Sequence, residues 1–172
     1  MAGTTTNNGW DYPTSTDLLK DGALAIQTLA TDIDTSVGTG LLAWTAYTPT
    51  FVNFTLGNGT ISFAYSQVGK VVNFRGLITL GSTSVMGTVP TISLPVTANS
   101  SATSLPLGQV FFNDAGTVVN TGILSMTTTT TLTMHALSAS GTYVSRTGLQ
   151  SNVPFTWTTS DQILLQATYQ AA

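Results

Sequence analysis

Apolar residues recur along this chain with two different periods, and the change falls near residue 40. Leu19, Ala23, Ile26, Ala30, Ile33 and Val37 follow one another at intervals of four, three, four, three and four. Such spacing places them on one stripe of a helix over residues 15–38, an apolar heptad seam of just under three repeats. Leu29 widens the stripe. Thr14 and Asp17 suit the N-terminal end of the helix, and Gly38 and Gly40 suit its stop. Gly22, read as an interior position, weakens it by roughly 1 kcal/mol.

From residue 44 the period is two. Segments 50–56 and 59–66 flank Gly57-Asn58-Gly59, a tight-turn signal. Ile61, Phe63 and Tyr65 share a face. After Gly69-Lys70, the residues Val72, Phe74, Gly76, Ile78 and Leu80 point one way, and Asn73, Arg75 and Thr79 the other. Residues 81–90 read as a loop, and Ser93-Leu94-Pro95-Val96 as a short strand that Pro95 confines to an edge or an end. Further strands are expected near 107–113, 117–126, 130–138, 153–158 and 162–170. Nothing alternates with helices, so a parallel α/β sheet is excluded. The expected fold is mainly β: an antiparallel β-sandwich of jelly-roll type over 39–172, preceded by a helix at 15–38 and an extended arm at 1–14.

A helix of this length is marginal in water and needs a partner surface. Two remain open: the chain's own β-domain, or sister helices. Ala at one seam position and Ile at the other favour close approach of three helices, so the six seam residues are the candidate interface of a homotrimer. Trp10 and Tyr12, beside Pro13, stand in a small polar arm where exposed aromatics forgo burial energy. They either seat in a partner, as docking residues, or fold back on the chain.

Charge sharpens this picture. Only 6% of residues are charged, and from residue 39 onward the set is Asp114, Asp161, Lys70, Arg75 and Arg146. So few charges give copies little mutual repulsion, and imply a surface covered in an assembly. The absence of a basic patch argues against nucleic acid. No apolar run is long enough for membrane insertion, and no secretory leader opens the chain. Without cysteine, disulfides and Cys-based metal sites are excluded.

Candidate chemistry is sparse. His135 is the only histidine, and its strand alternation sets it on the face of Thr131 and Thr133, away from Leu132, Met134 and Ala136. A zinc site ordinarily needs more than one such ligand. Asp114 and Asp161, the β-domain's only acids, read as turn residues rather than a glycosidase pair. Asp32, Asp34 and Ser36 mimic the opening of a calcium loop, but the glycine comes one place late and the closing Glu is missing. No catalytic residue, metal or cofactor is therefore expected. Trp44, Tyr47, Tyr143 and Trp157 are possible stacking surfaces for sugars; Tyr143, in a loop-like Ser-Gly-Thr-Tyr, is the best exposed candidate for a glycan contact.

Two stretches carry a resemblance. Gly9-Trp10-Asp11-Tyr12-Pro13, with Thr16-Asp17-Leu18-Leu19-Lys20-Asp21-Gly22-Ala23 and Ile26-Gln27-Thr28-Leu29-Ala30, resembles the N-terminal segment of minor tail and virion-surface proteins of phages infecting actinobacteria. Tyr47-Thr48-Pro49-Thr50-Phe51, Leu56-Gly57-Asn58-Gly59-Thr60, Tyr65-Ser66-Gln67-Val68-Gly69-Lys70 and Leu80-Gly81-Ser82-Thr83, closing on Ser93-Leu94-Pro95, is similar to a β-module of phage tail and fibre proteins. The resemblance implies a structural virion component made in the bacterial cytoplasm, commonly trimeric. Its partners would be other capsid or tail proteins, through the N-terminal part, and host cell-wall glycan on the outward β-part.

Overall fold

The computed structural model describes residues 3–6, 9–16, 18–38, 43–102, 106–139 and 141–172. Two compact units divide the chain, Met1–Ala43 and Trp44–Ala172. Asp17 and Gly40, expected to cap and end the helix, lie outside the described residues, as does the side chain of Leu19.

The first unit is a hairpin and a helix. Strands β1 (Gly3–Thr4) and β2 (Asp11–Tyr12) pair antiparallel, so the arm is folded back rather than extended throughout. Helix α1 runs Gly22–Gly38, after a 3-10 turn at Leu19–Asp21. It starts later than its apolar pattern does. Thr14 and Thr16 join their hydroxyls at 3.0 Å, a local polar alternative to helix. Gly22 thus opens α1, where it costs less than in an interior.

The second unit is one antiparallel sheet of ten strands: β3 (Thr45–Ala46), β4 (Phe51–Thr55), β5 (Thr60–Val68), β6 (Val71–Thr79), β7 (Val85–Ser93), β8 (Pro106–Asp114), β9 (Val118–Thr128), β10 (Thr131–Ser138), β11 (Ser145–Gly148) and β12 (Gln162–Gln170). Spatial order is β3-β5-β6-β12-β8-β9-β10-β7-β4, with β11 on β10. A single hydrogen-bonded path replaces the two separate sheets expected. It curls, because β4 and β5 lie near opposite ends of that path yet are joined by the tight turn at Gly57-Asn58-Gly59. Across the closure Phe51 of β4 meets Phe63 of β5, ring centroids 6.4 Å apart. The inner face is therefore enclosed as in a sandwich. Phe74, Ile78, Ile92, Val110, Phe112, Leu124, Leu132 and Ile163 are buried there, each contributing about 1.5–3 kcal/mol by leaving water.

The alternation expected for β5 and β6 is present and β12 alternates likewise, whereas in β10 the outward Thr133 is buried as well as Leu132 and Met134. Three readings are corrected. Residues 85–93 form β7 despite Gly87 and Pro90; the ladders to β4 and β10 use residues 85, 86 and 91–93 and skip 87–90, so Pro90 costs no ladder bond. The same β7 ends at Ser93, so Ser93–Val96 is no separate strand; Leu94 instead donates its N–H to the Thr130 carbonyl at 2.8 Å. Residues 153–158 are a loop wound about Trp157, whose indole N–H reaches the carbonyls of Gln150 (3.0 Å) and Val153 (3.2 Å).

Candidate functional site

On α1, the stripe written in the sequence lies open. Ile26 is 61% exposed, Ile33 39% and Val37 45%, and Ala23 and Ala30 are exposed beside them. The arm takes a neighbouring face. Trp10 donates its indole N–H to the Ser36 hydroxyl at 3.2 Å, and Gly9, Trp10, Asp32, Thr35 and Ser36 line a small groove. Leu29 is half-buried on this side. Trp10 is thus already engaged within its own unit, while Tyr12, its ring over Gly3, keeps 40% exposure and Pro13 is half-buried. Asp32 and Asp34 stand on the helix, where no calcium loop can form. Among the described residues no three His, Asp or Glu side chains cluster as metal ligands, and no helix is long and apolar enough to cross a membrane.

In the β-unit, the outer face of β6, β12 and β8 carries two contrasting rows. Full register sets Gln166 of β12 directly between Arg75 of β6 and Gln109 of β8. One step along, Thr168 faces Asn73 and donates its hydroxyl to the Asn73 side-chain oxygen Oδ1 at 2.9 Å. These side chains and Trp44 line a groove of about 540 Å³, within the usual range of ligand sites. Trp44, 45% exposed, lies under the Arg75 guanidinium, 4.4 Å from Cζ to ring centroid. In the other direction the row is apolar: Leu164 (40% exposed) pairs with Phe111 (42%).

His135 faces outward as expected, but is not simply solvated. Its Nδ1 lies 3.3 Å from the Ser125 hydroxyl, which in turn lies 3.2 Å from Thr133 Oγ1. Burial first, then the nearby Arg146 charge, hold the imidazole below its usual pKa. A Ser–His pair evokes a nucleophile and base. Here the serine is buried at 5% exposure and the trio includes no carboxylate to orient the ring. Asp161 is fully buried and committed elsewhere: Oδ1 accepts the Ala115 N–H at 3.0 Å, and Oδ2 the Thr158 N–H at 2.6 Å. Asp161 thus holds a turn with its side chain, while Asp114 ends β8 and accepts the Thr117 N–H through its backbone carbonyl at 2.9 Å.

The four stacking candidates separate. Tyr47 stands edge-on to Phe63 (5.6 Å) and Tyr65 (6.0 Å) and donates its hydroxyl to the Ser93 carbonyl; burial drives its pKa far upward. Trp157 packs on Phe112 and Phe155. Tyr143 is 84% exposed and Trp44 45%. Outward Arg75, Gln166 and Thr168 are readable from strand alternation. Their union with Gln109 is not, because it requires β12 to lie between β6 and β8.

Set against known protein families, curated proteins and solved structures, the chain matches none.

Proposed function

We propose that this chain is a non-catalytic structural protein of a bacteriophage surface, a homotrimer held by its N-terminal unit and displaying a jelly-roll-like β-domain outward. The observation that carries the assembly is the open stripe of α1: Ala23, Ile26, Ala30, Ile33 and Val37 keep heptad spacing and remain exposed in a single chain. A 17-residue helix with such a face gains little alone, and three copies bury it in one seam. The exposed Leu164–Phe111 row and the scarcity of charge support contact between β-domains as well. Tyr12, still partly exposed, and Pro13 serve with Trp10 as the anchoring end toward a capsid or tail protein. The likeness of residues 9–97 to phage surface proteins supplies the setting.

Light scattering on the purified chain tests the assembly. Three times the 17.9 kDa chain mass is expected at micromolar concentration. A single-chain mass with an intact helix overturns it. Labelling of intact particles with an antibody to the β-unit tests the setting, and particles lacking the chain overturn that half.

A further inference from the structure

We infer that the groove on the outer face of β6, β12 and β8 is a binding site for an anionic saccharide, with Arg75 taking the acidic group and Trp44, Gln109 and Gln166 the sugar. It stands independently of the α1 seam.

The charge balance comes first. Within Trp44–Ala172 the acids are Asp114 and Asp161. Asp161 is buried with both oxygens taken, and Asp114 lies five residues along β8 from Gln109, about 17 Å at the rise of a strand. Neither offsets Arg75, whose charge is therefore available to a ligand. Trp44 lies beneath it at 4.4 Å, and an Arg fork resting on an aromatic ring has paired donors suited to a carboxylate or a phosphate.

The neighbours suit a polyol. Gln166 and Gln109 are both exposed and stand in direct register with Arg75. Each amide offers a donor and an acceptor, which matches vicinal hydroxyls. Asn73 accepts from Thr168 through its oxygen, leaving its NH₂ to donate. The exposed part of Trp44 provides the apolar surface against which a sugar's C–H face rests. A groove of about 540 Å³ takes a ligand of one to two sugar rings.

Titration of the full chain, followed by NMR shifts of the Trp44 indole, tests the site with four probes: trigalacturonate, mannose 6-phosphate, neutral maltotriose and polyglutamate. At least one of the two acidic sugars is expected to bind in the millimolar range or tighter, and which one does so distinguishes carboxylate from phosphate. Maltotriose and polyglutamate are expected to bind at least about tenfold more weakly. Arg75→Gln, an outward substitution that leaves the fold's melting temperature near native, is expected to weaken the acidic sugar by about tenfold, with Arg75→Lys in between. Equal affinity for maltotriose overturns the acidic class, and equal affinity for polyglutamate overturns the saccharide. Unchanged affinity in folded Arg75→Gln, or no shifts at about 10 mM of either acidic sugar, overturns the site.

Discussion

Asp161 reaches 46 residues back along the chain to accept the backbone N–H of Ala115 at 3.0 Å, tying the start of β12 to the turn between β8 and β9. Its other oxygen takes the Thr158 N–H at 2.6 Å, and its own carbonyl receives the Leu80 N–H at 2.9 Å. One residue thus fastens three segments, two of them through its carboxylate. Asp161→Ala leaves two backbone donors without acceptors, and is expected to cost about 3–5 kcal/mol in urea unfolding. Asp161→Asn keeps one acceptor and is expected to cost less. Equal, near-zero effects would show that the turn holds without it.

Ile26→Asp is expected to reduce the mass in light scattering to that of one chain. Three copies of the change place three carboxylates in one dry seam. Because Ile26 is 61% exposed in a single chain, the β-unit is expected to keep its unfolding midpoint. An unchanged mass would move the interface elsewhere.

Gly76 of β6 lies opposite Phe63 of β5, and the Phe63 ring occupies the space a side chain would need. A Cβ on Gly76 comes within 2.3 Å of the ring. Phe63 is buried and stacks on Phe74 at 5.9 Å, so the ring cannot retreat without moving the core. Gly76→Ala is expected to cost about 1–3 kcal/mol in thermal or urea unfolding. Thr79→Ala, on the opposite face of the same strand, is the control with little effect.

His135 makes stability depend on pH. Folding depresses its pKa, so the unfolded chain binds a proton more readily. The His135 contribution is complete above the unfolded value near 6.5 and is lost as pH falls through the lower folded value. Urea midpoints taken from pH 7.5 downward are expected to decline across this window, and His135→Gln is expected to flatten that part of the curve. An identical curve in the variant would locate the dependence in the carboxylates.

Sequence alternation gave β5, β6, β10 and β12 nearly to the residue, because each has one face in the core. It does not reach the geometry of β4. Phe51 and Phe54 are three apart, so strict alternation sends them to opposite sides; yet both pack inward with centroids 5.1 Å apart. Asn53 resolves the conflict by taking a positive φ of 57° where the register shifts, a local geometry asparagine tolerates better than most residues. A bulge of this kind is invisible to a period of two. Gly87 and Pro90 hid β7 in the same way, since only the partner strands show that those residues fall where no ladder bond is made. The α1 seam was legible as a stripe, and the arm's return onto Ser36 was not, since nothing local to Trp10 marks a hydroxyl 26 residues away. Trp44 was visible as a stacking candidate and Arg75 as an outward strand residue, but the groove exists only through cross-strand neighbours far apart in the chain.

The place of β12 sets an order on how the sheet is made. All nine of its residues pair with β6, and six pair with β8. Until residues 162–170 leave the ribosome, β6 and β8 each present an open margin of unsatisfied amides and carbonyls, with one charged residue apiece, Arg75 and Asp114. Such margins template pairing between nascent chains. Synthesis therefore passes through a vulnerable interval that closes only when a late segment slides into the middle, and deleting a few residues from that segment would split the sheet rather than trim it.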